Sequence, residues 1–380
     1  MTRRPAPVRL LPAALLAVAV TAALAVAGPP PASAATGDIG YEDFVYSPLG
    51  GSPTGSKPES KLWFNNGWWG ILWSPSAAEY RIAKLDRSTG TWSPTAAAAD
   101  TRTASRADTL WVPDTNKLYV ASHYFVNAGH STTVPAPGNG ARLYRFSYNA
   151  ASDSYTLDPG YPAALNNYKT ETLVIDRDST GTLWASWTYG SRPYVAHTLN
   201  GNDASWSVPY VVPGAGTTLD PDDISSLVRF GGNKIGVMWS NQVAQRFYFA
   251  VHGDGGGDGA GAWQVEEVPL SGITADDHIN LKADATGRVY AAVKTSEGSS
   301  TRPLIMLLVR AADGTWTNTT FGTVSNSQTR PIVLLDEEHQ TIHMYATGPQ
   351  PPNTSGQSGG DIVEKTTSMA NPSFAPGAAT

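Results

Sequence analysis

One unit of short strand-like runs recurs six times along this chain, at intervals of about 50 residues, and few folds can accommodate such a period. The first runs begin near Lys61, Thr109, Thr172, Ser226, Ile279 and Pro331 and read KLWF, TLWV, TLVID, SLVRF, INLKA and PIVLLD. Successive starts are 48, 63, 54, 53 and 52 residues apart. Each is followed by a second run (GILWS, KLYVAS, TLWASW, KIGVMWS, RVYAAVK, TIHMYAT) across turns such as PDTN, RDSTG, GGN and DATG, the Gly/Asn/Asp chemistry of β-hairpins. A third run completes every unit (EYRIAKL, ARLYRFSY, YVAHTL, FYFAVH, PLIMLLVR, DIVEKTT). Five units add a fourth that opens near an aromatic: TWSPT, SYTLD, SWSVPYVV, AWQVEEV and TWTNTTF. No 3.6-residue apolar stripe separates the units, so helices should be few.

A four-stranded sheet cannot bury its own two faces, but a ring of such sheets covers each with the next. The expected fold is therefore all-β: a six-bladed propeller of four-stranded antiparallel blades over residues 58–380. A shortened seven-bladed ring is the alternative. Asp43 to Ser47 (DFVYS), within an N-terminal segment 35–57, offers a ring-closing strand, whereas Ser373 to Pro376 (SFAP) offers the sixth unit's own fourth strand. If both are strands, one is left over for a seventh blade.

Composition narrows the function classes. Charged residues are only 15% of the 380, against ~25% in ordinary globular chains, which argues against a coiled coil or a disordered acidic chain. The absence of Cys excludes disulfides, Cys-ligated zinc and thiol catalysis. Arg3, Arg4 and Arg9, the apolar stretch Leu10 to Ala27 and the small-x-small Ala32-Ser33-Ala34 form a secretory signal over residues 1–34. An uncleaved anchor is disfavoured because Ala is weakly apolar. Cleavage would remove three Arg and leave 23 Lys+Arg against 32 Asp+Glu, a charge of −9. The product is expected to be secreted and extracellular, to act as a monomer, and to have neither nucleic acid nor membrane as a partner.

Propeller geometry brings the starts of the first strands and the ends of the second strands to one face. Just before the first strands stand Glu59 and Lys61; Arg106 and Asp108; Lys169 and Glu171; Asp222 and Asp223; Asp276, Asp277 and His278; Thr329 and Arg330. The second strands end with His123 and Tyr124, Trp187 and Tyr189, Trp239 with Asn241, Lys294, and Tyr345. Aromatic planes beside carboxylates, amides and cations suit an extracellular glycan or polysaccharide, whose rings stack and whose substituents hydrogen-bond. Candidate catalytic residues are Glu171, Asp223, Asp277, His278 and Tyr124. Candidate substrate-binding residues are Arg106, Asp108, Lys169, His123, Trp187, Tyr189, Trp239, Asn241, Lys294 and Arg330. The same charges could instead cap loops, pair across blades or line a water-filled channel. No cofactor is expected, although Asp222-Asp223 and Asp276-Asp277 could hold a structural calcium.

The hairpins Ala312-Asp313-Gly314-Thr315-Trp316 and Asp86 to Trp92 resemble the degenerate Asp-box repeats of sialidase-like (BNR-repeat) propellers. That resemblance implies the propeller fold and a carbohydrate-active protein, without implying sialidase activity. The family uses an arginine triad, a Tyr/Glu pair and an Arg-Ile-Pro motif. Here Tyr80-Arg81-Ile82 is followed by Ala83, and only Arg106 and Arg330 are placed as funnel arginines. The runs KTETLVID, DDISSL, SGITADDHINLK and SQTRPIVLLDEE also resemble a group of secreted bacterial propellers, which implies an architecture and no reaction. Two function classes remain open: a glycoside hydrolase or polysaccharide lyase working in the funnel, and a propeller that binds a glycan or protein without catalysis.

Overall fold

The computed structural model describes residues 57–126, 140–348 and 362–377. The signal segment and the DFVYS run lie outside the described residues. Six sheets follow one another along the chain, antiparallel apart from a short parallel pairing of Lys169–Thr170 with Tyr124–Phe125 in the second. Blade 1 comprises Leu62–Phe64, Trp68–Ser74, Glu79–Asp86 and Thr91–Asp100, and blade 2 comprises Ser105–Val112, Lys117–Phe125, Arg142–Asn149 and Ser154–Leu157. Blade 3 uses Leu173–Arg177, Leu183–Tyr189, Arg192–Leu199 and Asn202–Trp206; blade 4 uses Ser225–Phe230, Lys234–Asn241, Arg246–Gly253 and Trp263–Glu267. Blade 5 is Ala275–Ala283, Val289–Thr295, Pro303–Arg310 and Trp316–Thr323. Blade 6 has three strands among the described residues, Thr329–Asp336, Thr341–Thr347 and Ile362–Ser368. The described helical residues are two 3-10 turns, Ala260–Ala262 and Val324–Asn326. The protein is a six-bladed β-propeller.

The Ser373 to Pro376 run is not a ladder strand. Thr367 Oγ1 accepts the Ser373 N–H at 2.9 Å and donates to its carbonyl at 3.0 Å, while Phe374 packs edge-on against Phe321 of blade 5. Lys365 Nζ donates to the carbonyls of Ala375 and Gly377. The tail is thus pinned between blades 5 and 6 by side chains.

Strand alternation explains the core. In blade 3, Leu173, Ile175, Leu183, Ala185 and Trp187 face blade 2, whereas Val174, Trp184 and Val195 face blade 4. Equivalent apolar layers join blades 1 and 2, 4 and 5, and 5 and 6. Large aromatics fill these layers: Trp69, Trp187 and Trp239 are all fully buried. Burying ~150–250 Å² for each contributes roughly 4–6 kcal/mol of transfer free energy.

The innermost strands present main-chain edges to the axis, and polar side chains of neighbouring blades meet several of them. Asp108 accepts the N–H of Ser60 at 2.6 Å and of Ile175 in blade 3 at 2.9 Å. Asp176 accepts the N–H of Arg229 in blade 4 at 2.6 Å, and Asn280 that of Val333 in blade 6 at 3.1 Å. Asp108 and Asp176 line an axial cavity of about 260 Å³ with Lys282 and Arg229. Burial pushes Asp108 up to about 7 and raises Asp176 as well.

On the face opposite the strand starts, Asp86, Asp178, Asp284 and Asp313 make one repeated turn. Each accepts, through Oδ1, both the N–H and the hydroxyl of the Ser or Thr two residues later, within 2.6–2.9 Å. Asp178 also accepts from Trp184 Nε1, and Asp284 from the Tyr290 hydroxyl, which ties these turns to the aromatic core.

Asp108→Ala should leave two main-chain donors without their acceptor. At about 1–3 kcal/mol for each buried unsatisfied group, the urea midpoint should fall by the equivalent of roughly 2–6 kcal/mol with the m-value unchanged. Equilibrium denaturation followed by tryptophan fluorescence measures it.

Candidate functional site

Ladder registers place the expected groups on one face: Arg106 opposite His123, Leu173 opposite Trp187, Ser225 opposite Trp239 and Ala275 opposite Thr295. Two irregularities shape this mouth. In blade 5 the register shifts between Ala275 and Ile279, which lifts Asp276-Asp277-His278 out of the ladder. In blade 6 it shifts between Thr329 and Ile332, and Arg330 stands there exposed with φ 52°, a left-handed conformation uncommon for a residue with a side chain.

Three carboxylates from three blades converge. One oxygen each from Glu171, Asp222 and Asp277 lies within 4.8 Å of the others. Glu171 precedes blade 3, Asp222 precedes blade 4, and Asp277 sits in the blade 5 irregularity. The ammonium of Lys57 joins two of them, 2.8 Å from Glu171 Oε1 and in direct contact with Asp277 Oδ2. Asp277 Oδ1 and Asp276 Oδ1 each stand 2.7 Å from His278 Nδ1. Asp276 is held in turn by Lys294 at 2.8 Å. A continuous charge chain therefore runs Lys294–Asp276–His278–Asp277–Lys57–Glu171 across the mouth.

His278 Nδ1 faces two carboxylates, so its proton belongs there, and Nε2 is left to accept from the Thr329 hydroxyl at 3.3 Å. Burial lowers His278 to about 4 despite the opposing hydrogen bond that Nδ1 donates to Asp276. Burial alone would raise Asp276, but His278 and Lys294 hold it below the ordinary aspartate range. The imidazole is neutral at neutral pH.

Half-buried aromatics stand at strand ends on the same face. Lys169 pairs with Tyr124 in a short parallel ladder, and its ammonium lies 4.2 Å above that ring. Tyr189 stacks on Tyr168 with centroids 3.9 Å apart.

The structure thus gathers Glu171, Asp277, His278 and Lys294 into one chain, with Lys169, Tyr124, Tyr189 and Arg330 on the same face. It places the other expected residues elsewhere. Trp187 and Trp239 are wholly buried, Trp187 between blades 2 and 3, and Trp239 with Nε1 donating to the Gly216 carbonyl at 2.7 Å. Neither offers a ring face to the mouth, because strand alternation turns both sideways into neighbouring blades. Asn241 clamps a loop, donating to Gly216 and Thr218 and accepting from Ala244. Asp223 is fully buried and accepts from Ser240 Oγ and the N–H groups of Asp220 and Gln242, so it fastens its own loop, and burial raises it. Asp222, Asp276 and Asp277, by contrast, stand in two clusters whose ligand atoms lie within 4.8 Å of one another, Glu171-Asp222-Asp277 and Asp276-Asp277-His278.

His123 is fully buried, with Nε2 2.6 Å from Glu59 and Nδ1 beside Thr170. Arg106 is buried between blades 1 and 2, its guanidinium 4.4 Å over Phe125. Asp108 is the main-chain acceptor described above. Lys57 and Tyr168 join the site without being singled out by sequence reasoning, whereas the sequence already marks Asp222 and Asp276 as strand-start charges and possible calcium ligands. Tyr168 adjoins the singled-out Lys169. Lys57 carries no local signal, since its place depends on where the chain crosses the mouth.

No family model matches this chain, and no curated protein matches it in sequence. Among solved structures, it is similar to an ulvan lyase from a new polysaccharide lyase family, bound to -[GlcA(1-4)Rha3S]-. That match has a TM-score of 0.52 at 11% identity, over 84% of this chain and 83% of the other. It is also similar to a Bacteroides uniformis protein provisionally described as a 6-phosphogluconolactonase, with a TM-score of 0.50 at 13% identity, over 81% and 80% of the two chains. At these identities the likeness establishes the fold. No helix among the described residues is long and apolar enough to cross a membrane.

The unfolded imidazole of His278 protonates near 6.5 and the folded one near 4. Stability tied to the neutral ring is therefore complete above pH 6.5 and is lost as pH falls toward 4. His278→Gln should flatten the acid-side loss of stability over that window, by up to about 3 kcal/mol. Urea titrations at pH 7, 5.5 and 4.5 check this.

Proposed function

We propose that the chain is a secreted, carbohydrate-active propeller whose mouth acts on an extracellular glycan, most specifically as a glycoside hydrolase. The observation that carries this reading is the meeting of Glu171 and Asp277, from blades 3 and 5, on a face that also carries tyrosines and cations. Glycosidic hydrolysis needs two carboxyl groups, one to protonate the leaving oxygen and one to attack or to activate water. Oxygens within 4.8 Å lie on the short side of the ~5–5.5 Å carboxyl spacing at which the second group acts as nucleophile with retention. Tyr168 and Tyr189 supply apolar planes for sugar rings, and Lys169 and Arg330 supply donors on the same face.

The lyase version draws less support. A lyase would need a cation to neutralise a uronate carboxylate, from Arg106, Lys169 or Arg330, and a base for the C5 proton, from His278 or Tyr124. Of these, Arg106 is buried between blades, and His278 has Nδ1 against two acids and Nε2 against Thr329. A non-catalytic glycan-binding propeller remains the second reading. It is favoured by one observation: Lys57 already neutralises two of the three converging carboxylates.

Incubating the protein with neutral and uronate-containing polysaccharides, while following reducing ends and unsaturated-product absorbance together, separates the readings. Reducing ends alone support the hydrolase, absorbance with them supports a lyase, and saturable binding without either supports the binding module. In the hydrolase case Glu171→Gln and Asp277→Asn should each lower turnover by about 10²–10⁴-fold with circular dichroism unchanged. Undiminished turnover in both would overturn the assignment.

A further inference from the structure

Residues 57–61 cross the mouth and are fastened to it very unevenly. Glu59 has a fully buried side chain that takes His123 Nε2 at 2.6 Å, the Leu173 N–H at 3.0 Å and Lys61 at 3.4 Å. Burial alone would raise this carboxyl, yet His123 and Lys61 hold it down to about 2. Ser60 donates its N–H to Asp108, and its carbonyl accepts both the N–H and the hydroxyl of Thr109. This half of the segment is built into blades 2 and 3. At its other end, Lys57 reaches the carboxylates through its side chain, and a lysine ammonium on a four-carbon stem can leave a site without moving its backbone.

The position of that ammonium is chemically specific. It lies between Glu171 of blade 3 and Asp277 of blade 5, the two groups a glycosidase would need free, and an oxygen of Asp222 stands within the same cluster. The Lys57 side chain is 11% exposed and its partners 5% and 9%, so all three groups are nearly closed off from solvent while the ammonium is in place. We propose that Lys57 is a tethered plug, whose ammonium keeps Glu171 and Asp277 paired in the resting protein and must swing out before a glycan can engage them. This rests on the carbohydrate-active reading above. The buried Glu59 anchor stays in place while the plug moves, so opening is a side-chain event and the propeller does not rearrange.

Terbium(III), a trivalent ion that seeks clustered carboxylates, probes the plug independently of any sugar. Lys57→Met and Lys57→Gln should each bind Tb³⁺ at least tenfold more tightly than wild type, read by tyrosine- and tryptophan-sensitised luminescence. Lys57→Arg, which keeps the charge, should stay near wild type. Adding Glu171→Gln and Asp277→Asn to Lys57→Met should remove the gain. The glutamine variant retains a hydrogen-bond donor and so guards against misfolding of the methionine variant. Equal Tb³⁺ affinity in wild type and both neutral variants would overturn the plug.

On a polysaccharide that wild type cleaves, the two neutral variants should turn over several-fold faster at subsaturating substrate. Loss of turnover in both would make Lys57 a participant in the reaction and would also overturn the plug. Tighter Tb³⁺ binding without turnover in any variant would uphold the plug and remove the hydrolase reading instead.

Discussion

Each sheet in this protein is covered on its faces only because the next sheet lies against it, and every other feature follows from that mutual covering. A blade such as Leu183–Tyr189 with its neighbours alternates Leu183, Ala185 and Trp187 toward one side and Trp184 toward the other. Neither side would be buried in an isolated sheet. The same radial stacking turns a linear interval into convergence. Glu171, Asp222 and Asp277 are 51 and 55 residues apart in sequence, yet their oxygens meet within 4.8 Å because each stands near the start of a successive unit.

The axis sets a second demand. Inner strands have no further strand to pair with, so their N–H groups need acceptors from elsewhere. Asp108, Asp176 and Asn280 meet this demand between blades, and Glu59 meets it for Leu173. Burial raises Asp108 and Asp176, whereas Glu59, beside His123 and Lys61, is held low. At the mouth the acids are balanced differently, by Lys294 and Lys57 at two points of the chain Lys294–Asp276–His278–Asp277–Lys57–Glu171, with the neutral His278 ring between Asp276 and Asp277. Removing one member of such a chain leaves its neighbours uncompensated in a poorly solvated place, which costs more than the pair contributes. The mouth is therefore densely charged, with most of its acids held by a cation or an imidazole.

The blades were legible in sequence because hairpin turns and apolar alternation are local. The runs TLVID, SLVRF and RVYAAVK lie where strands form, and the Asp-x-Ser/Thr turns at Asp86 and Asp313 recur at Asp178 and Asp284 with the same geometry. The sixth unit's fourth run was misleading, since Phe374 finds a better partner in Phe321 of blade 5 than in its own blade's ladder. The mouth was legible only as a neighbourhood. Its face and most of its charges follow from the unit's repeat, but the direction of each side chain does not. Trp187 and Tyr189 are two residues apart at the same strand end, yet one is fully buried and the other half exposed.

By itself, the sequence determined the repeat, the all-β blades and the set of polar groups delivered to one end, because these depend on local turn chemistry and the two-residue period of a strand. Only the tertiary structure decided which of those groups fasten the ring and which remain at the mouth. His123, Asp108 and Asp223 are drawn inward by buried N–H or ring-nitrogen partners, while Glu171, Asp277 and His278 are gathered by a register shift in blade 5 and by Lys57. Those choices depend on distances between residues as far apart as 57 and 277, and such distances exist only once the blades are stacked.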